Sequence, residues 1–211
     1  MTASGKTKSR PFDAVLCDVD NVIRFYDMTP LAELERAAGL AVGTTAAVAY
    51  APDIDLPLLL GRITTAQWTD AITSALCDQV PPGRARALGQ ALADAPFRAD
   101  DVVVSLLRRA RRQVPLVLVT NATPDLERDL EAMGLSDLAD HVVSSARVGV
   151  AKPDPEIYAI AAARAEVAVD RCLFVDDRLE NVEAAGALGM TGVHHRERAD
   201  LRRALGLLGD G

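Results

Sequence analysis

Residues 14–20 read AVLCDVD. The first four are apolar without alternation, which predicts a short strand covered on both faces, the form strands take inside a parallel sheet. Asp18 and Asp20 follow at once, so two carboxylates stand at that strand's carboxyl end. Working outward, the form recurs: 116–119 (LVLV) runs into Thr120 and Asn121, and 172–175 (CLFV) runs into Asp176-Asp177. Shorter apolar stretches at 142–143 and 192–194 complete five predicted strands. Helical periodicity separates most of them. Residues 124–133 place Leu126, Leu130 and Met133 on one face, with Thr123 as N-cap, Pro124 as first residue and Gly134 as stop. Asp154-Pro155 opens a helix that carries Ile157, Ile160 and Ala161 inward. Leu179, Val182 and Ala185 line another, which Gly189 ends. A further helix turns Val102, Val103, Leu106 and Leu107 inward and ends in the arginine cluster Arg108-Arg109, Arg111-Arg112, which suits a helix C-terminus. This alternation predicts an α/β layer fold around a parallel sheet of about five strands with helices on both faces.

Residues 25–97 break the pattern, because no strand is recognisable there. Thr29-Pro30 starts a helix with Leu31, Leu34 and Ala38 on one face. Thr64 and Gln67 have the spacing of a capping box ahead of Trp68, Ile72 and Leu76. Pro81-Pro82-Gly83 separates this from a helix bearing Leu88 and Leu92. The organisation expected is a disordered tail at 1–10, a core at 11–24 and 98–211, and a helical insert at 25–97.

Composition narrows the function. A net charge of −7 argues against a general nucleic-acid binder, and 4% aromatic content argues against a stacking platform for single strands. No apolar stretch approaches the roughly 20 residues that span a bilayer, and the first ten residues lack the apolar segment of a signal peptide. The three cysteines, Cys17, Cys77 and Cys172, form no CxxC pair and read as reduced thiols of a cytoplasmic protein. Nothing in the chain specifies an oligomeric state.

One lysine stands out. The chain has twenty arginines but three lysines, and Lys6 and Lys8 lie in the tail, so Lys152 is the one ammonium in the foldable part. An ammonium is a compact point charge where a guanidinium is a planar fork. In open parallel sheets ligands bind beyond the carboxyl ends of the strands. Asp18, Asp20, Thr120 and Asp176-Asp177 all belong there, and Lys152 lies in the loop after the third core strand. Converging carboxylates repel, and Mg²⁺ relieves this while leaving a position for a phosphate oxygen. Lys152 and Thr120, with backbone N–H groups near Asn121, would hold the other phosphate oxygens.

The ordered segments LCDVD at 16–20, LVLVTN at 116–121, KPDPEIY at 152–158 and FVDDRLENVEAA at 174–185 resemble the motifs of the haloacid dehalogenase (HAD) superfamily, over about residues 13–195. The resemblance implies a Rossmann-like core with a small all-helical cap inserted after the first motif. It implies that Asp18 is the nucleophile of an aspartyl-phosphate mechanism and Asp20 the general acid and base. Mg²⁺ would be held by the carboxylates of Asp18 and Asp177 and the main-chain carbonyl of Asp20, with Asp176 in the outer shell. Thr120, Asn121 and Lys152 would bind the phosphoryl group, and Asn181 matches a position that steadies the metal site. Dehalogenase members lack the second acid, so Asp20 and Asp177 favour a phosphatase of a small phosphorylated metabolite. The chain departs from the family in having Asn21-Val22 where Gly-Thr is common. Asn tolerates left-handed backbone, whereas Val22 removes a hydroxyl that orients the second acid.

Other readings stand beside this one. A phosphosugar mutase shares these residues, and a catalytically weak phosphate-binding relative would explain Asn21-Val22. A phosphoaccepting receiver module gathers a similar set in a different order. His194-His195 reads as the end of a strand, since adjacent strand residues face opposite sides. Trp68 reads as core of the insert, and Tyr26 and Arg62 are placed near its hinges as possible substrate contacts.

Overall fold

The computed structural model describes residues 10–208; apart from Arg10, the expected tail lies outside them. In chain order the elements are β1 (Ala14–Cys17), β2 (Arg24–Tyr26), α1 (Thr29–Ala37), α2 (Thr44–Ala49), α3 (Pro52–Leu59), α4 (Thr65–Leu76) and α5 (Pro82–Ala93). They continue with β3 (Phe97–Ala99), α6 (Asp101–Arg111), β4 (Leu116–Thr120), α7 (Leu126–Ala132), β5 (His141–Ser144), α8 (Ser145–Val148) and α9 (Pro155–Arg164). The last are β6 (Cys172–Asp176), α10 (Leu179–Ala187), β7 (Thr191–His194) and α11 (Arg198–Leu205).

The main sheet has the order β5-β4-β1-β6-β7, and every neighbouring pair is parallel. The five predicted strands are the five observed, each within a residue or two at its ends. Strand β1 sits at the centre because its residues are apolar on both faces. Val15 and Cys17 join Leu116, Leu118, Leu107 and Leu201 on one side. Ala14 and Leu16 join Val117, Ile157, Tyr158 and Phe174 on the other. Alternate side chains of one strand thus feed two separate cores. The chain steps from β1 outward through β4 to β5, then returns to the other side of β1 for β6 and β7. The order reverses at β1, and the crevice at such a switch point is where open α/β sheets place ligands.

Helices α1–α5 enclose a third apolar cluster, including Leu31, Leu58, Trp68, Ile72, Leu76 and Leu88. The expected capping box is present: Thr64 Oγ1 accepts from the Gln67 amide, and Gln67 Oε1 accepts from the Thr64 amide. In α1 the buried face is Leu31 and Glu35, while Leu34 is exposed. Glu35 accepts from the amides of Gly43 and Thr45, both at 2.7 Å, and so caps the start of α2.

Several expectations need correction. The stretch 25–97 does contain strand: β2 and β3 pair antiparallel, Arg24 opposite Ala99 and Tyr26 opposite Phe97, and tie the two ends of the insert together. Three-residue strands are too short to show periodicity. Helices α2 and α3 also lie there; α2 is six residues long, and α3 carries an internal proline, Pro57. The buried face of α6 is Val103, Val104, Leu107 and Ala110, with Val102 exposed, because the helix is rotated by one position from the expected face. Helix α7 starts at Leu126: Thr123 Oγ1 accepts from the Asp125 amide and makes a turn of 124–125. Leu179 is exposed, and Asn181 takes the inward position at the start of α10. Cys17 and Cys172 are buried and Cys77 is exposed, all three as free thiols.

Candidate active site

Three strand ends meet at the switch point. Asp18 follows β1 directly, Thr120 ends β4 and Asp176 ends β6, so parallel pairing of β1 with both neighbours sets the three side by side. Lys152 comes from the loop before α9. Its ammonium lies 2.8 Å from Asp18 Oδ1 and 2.7 Å from Asp176 Oδ2, with all three residues buried. The Asn121 side chain clasps the lysine backbone: Nδ2 donates to Lys152 O at 2.9 Å, and Oδ1 accepts from Lys152 N at 2.7 Å. The sequence marked Lys152 for its rarity, and it is the charge at the centre of the crevice.

Asp18 Oδ1 accepts from the Val19 amide at 2.7 Å as well as from Lys152. Oδ2 carries no hydrogen bond among the described residues, so one oxygen is fixed and the other free. Asp176 is saturated instead, with Lys152, the Arg178 amide and Asn181 Nδ2 all donating to it. Asp177 is half-buried and accepts from Asn21 Nδ2 at 3.0 Å. Asn21 has a φ of 57°, the left-handed turn its side chain tolerates. The departure from the family pattern at this position thus keeps the turn and adds a contact to Asp177.

The electrostatics follow from burial. Burial pushes the Asp18 carboxyl up to about 7; Lys152 pulls against this, while Asp176 and Asp20 add to it. Burial opposes the charge of Lys152, but the facing Asp18 and Asp176 outweigh it and hold the ammonium above the usual lysine range. Burial likewise raises Asp177, against the hydrogen bond from Asn21. Oxygens of Asp18, Asp176 and Asp177 lie within 4.8 Å of one another. Three carboxylates share one ammonium, and the deficit of positive charge in an all-oxygen donor set suits a hard divalent cation. Of the five buried side-chain polar atoms without a partner among the described residues, two belong to residues of this site, Thr120 Oγ1 and Asn181 Oδ1. Such atoms cost stability unless a ligand or water satisfies them.

The sequence did not mark Arg24. This buried residue of β2 grips Asp20 with two hydrogen bonds, Nε to Oδ1 at 2.6 Å and an Nη to Oδ2 at 3.0 Å. Its other Nη reaches Asp129 of α7 at 2.8 Å, and its guanidinium lies 5.1 Å from the Tyr26 ring centre and 5.6 Å from that of Phe97. Burial works against the charge of Arg24, but the hydrogen bonds and charge of Asp20 raise it. An arginine four residues after an acid is an ordinary pattern; only the β2–β3 pairing turns it inward.

A cleft of about 890 Å³ opens over these groups, walled on the insert side by residues of α3, α4 and α5 and on the core side by residues of α7 and α10. Asp18, Asp20, Asn121, Lys152 and Asp177 line it, while Thr120 and Asp176 are fully buried. Tyr26 and Trp68 line it too, Trp68 at the same time belonging to the insert's core; Arg62 does not line it. His194 ends β7 and His195 follows it. His194 Nε2 lies 3.0 Å from the Asp177 carbonyl, and His195 is a buried ring whose Nδ1 has no partner among the described residues.

A Rossmann-like core whose strand-end acids surround one buried lysine defines a class, and comparison with known proteins identifies it. Residues 12–189 match the haloacid dehalogenase-like hydrolase family, and the chain belongs to that family. A sesquiterpene phosphatase of Aspergillus oryzae is 39% identical over 100 residues, which cover 46% of this chain and 51% of that enzyme. A phosphoserine phosphatase of Thermus thermophilus is 34% identical over 90 residues, 42% of this chain and 36% of its own. The match thus spans about half the length of the first relative and about a third of the second. Among solved structures, a HAD family enzyme of Bacteroides thetaiotaomicron in a magnesium complex superposes with a TM-score of 0.69. It is 20% identical, with 92% of this chain and all of that one covered.

Proposed function

We propose that this chain is a Mg²⁺-dependent phosphomonoesterase working through an aspartyl-phosphate on Asp18. The observation that carries the reading is the state of that carboxylate: Oδ1 is held by Lys152 and the Val19 amide, and Oδ2 is free at the floor of the cleft. Oδ2 attacks phosphorus, the phosphorus–oxygen bond to the alcohol breaks, and Asp20 gives the leaving oxygen its proton. Water then attacks the aspartyl-phosphate while Asp20 takes a proton from it, returning the free Asp18 carboxylate and inorganic phosphate. Lys152 balances negative charge on Asp18 and on the phosphoryl oxygens, and the unpartnered Thr120 hydroxyl is a donor for one of them. Arg24 binds both oxygens of the ionised Asp20 carboxylate, the form that takes the proton from water, and so acts as a positioning residue; one of the two bonds gives way when Asp20 carries the proton.

The all-oxygen cluster suits a magnesium ion, which Asp18 and Asp177 would hold through their carboxylates, with the Asp20 carbonyl as the third ligand that the family resemblance implies. Asp176 is too fully hydrogen-bonded to serve except through water. When bound, the ion supplies positive charge to the carboxylates and to the phosphoryl oxygens. Residues 25–97 form the cap over the reaction.

The cleft favours a phosphatase over a phosphosugar mutase. Handling a bisphosphate calls for cations on the cap side to hold the second phosphate. Among the described residues, the cap side of the cleft presents two acids, Asp55 and Asp94, and no Lys or Arg. The test is phosphate release from a panel of phosphomonoesters. Turnover with Mg²⁺ that EDTA stops supports the reading, and turnover that requires a bisphosphate primer overturns it in favour of the mutase.

A further inference from the structure

Eight aromatic residues occur in the whole chain. Five of them, Phe25, Tyr26, Tyr50, Trp68 and Phe97, line the one cleft above Asp18, together with Met28, Leu58, Leu59 and Leu92. The other three, Phe12, Tyr158 and Phe174, are packed in the sheet cores. Tyr50 and Tyr26 are 54% and 38% exposed, so this apolar wall keeps surface that the fold itself does not cover. A contiguous apolar surface of this kind marks a binding site.

The cleft is graded. Its core side carries Lys152, Asn121, Arg128 and Arg178, where a phosphate belongs. Arg128 and Arg178 are already paired with Asp125 and Glu180. Among the described residues the cap side adds no Lys or Arg of its own to the cleft lining, and burial pushes the Asp55 carboxyl there up to about 6, against the pull of Arg178. The two ends are mechanically joined, because Arg24 holds Asp20 while lying against the rings of Tyr26 and Phe97. The proposed proton donor is thus fastened beside the apolar wall.

We infer that the substrate is the phosphomonoester of an apolar alcohol, its phosphate at Asp18 and its hydrocarbon against the cap wall. The inference rests on the phosphomonoesterase reading and names the substrate class for it. Polar groups of a sugar, nucleoside or amino acid set against the rings of Tyr26, Tyr50, Trp68 and Phe97 would be left unpaired, at a cost greater than a lost methylene; away from those rings, Asp55 and Asp94 are the acids that a hydroxyl or ammonium could reach.

The test uses n-alkyl phosphates from ethyl to octyl with glycerol 3-phosphate as the hydroxylated comparator. Turnover is measured with wild-type protein and Mg²⁺, and binding by calorimetry with Asp18→Asn. We expect kcat/KM and affinity to rise about two- to fourfold per added methylene, and glycerol 3-phosphate to rank with the shortest chains. Tyr50→Ser, at an exposed position where folding is not at stake, should lower the octyl-to-ethyl ratio several-fold. A flat series, a preference for glycerol 3-phosphate, or a ratio unchanged in Tyr50→Ser overturns the substrate class while the phosphatase reading stands. Binding to Asp18→Asn that tightens with chain length, with no ester turned over, overturns the phosphatase reading and keeps the apolar site. Neither binding nor turnover overturns both.

Discussion

At the scale of single residues, the site holds buried charges that only their partners make tolerable. Lys152 is buried between Asp18 and Asp176. Lys152→Met would leave two carboxylates facing each other without a counter-charge, and removing one partner of a buried pair costs on the order of 3–5 kcal/mol. Urea denaturation should show that loss; an unchanged midpoint would contradict the arrangement. Lys152→Arg should not restore activity, because a planar fork cannot replace a point charge between two oxygens. Arg24 is tested through the leaving group. If it positions Asp20 for proton transfer, Arg24→Met lowers kcat/KM for an alkyl phosphate by on the order of 10²-fold. The loss should be much smaller for p-nitrophenyl phosphate, whose leaving group needs no proton. Equal losses on the two esters would assign Arg24 to the fold alone. Much of this was legible in the sequence: an apolar run ending in acid identifies Asp18 and Asp176, and rarity identifies Lys152. Arg24 and Asp129 were not legible, because a contact across 105 positions leaves no local pattern.

At the scale of elements, capping and close approach decide where the pieces end and touch. Asp100 caps α6, accepting from the amides of Val102 and Val103, and pairs with Arg198 at 2.6 Å. Burial opposes its ionisation, but the Arg198 bond and the two amides outweigh it, so Asp100 ionises below the ordinary carboxylate range. A depressed folded value adds stability that is present above the unfolded value, about 4, and disappears as pH falls through the folded one. Asp100→Ala should therefore cost about 1 kcal/mol at neutral pH and narrow the gap in Tm between pH 7 and pH 3. An undiminished gap would place the acid sensitivity elsewhere. Gly61 is a close approach of insert to core: its φ is +67°, and a Cβ there would stand 2.4 Å from the Ala146 carbonyl oxygen. Gly61→Ala should destabilise by about 1–3 kcal/mol, read by thermal unfolding. The main strands and helices α4, α5 and α9 were legible because their apolar runs, caps and prolines agree. The β2–β3 pair was hidden by its length, and α3 by apolar residues on several faces and an internal proline.

At the scale of the whole molecule, the fold joins a sheet whose strand ends gather charge to a helical unit whose inner wall is apolar. Two features close the insert over the sheet: the contact of Gly61 with α8, and the hydrogen bond from Thr65 Oγ1 to Asp125 at 2.7 Å. The division of labour was legible only in outline. Sequence periodicity marked helices within 25–97, where α1–α5 lie, but which helix faces look into the cleft depends on how five short helices pack. The reading proposed for Asp18, a phosphate-accepting nucleophile whose site needs a divalent cation, ties these scales together. It is tested most directly by phosphate release from an alkyl phosphate, comparing wild type in Mg²⁺, wild type in EDTA, and folded Asp18→Asn in Mg²⁺. Turnover is expected in the first alone, with loss of at least about 10³-fold in the variant. Turnover by Asp18→Asn at the wild-type rate would contradict it.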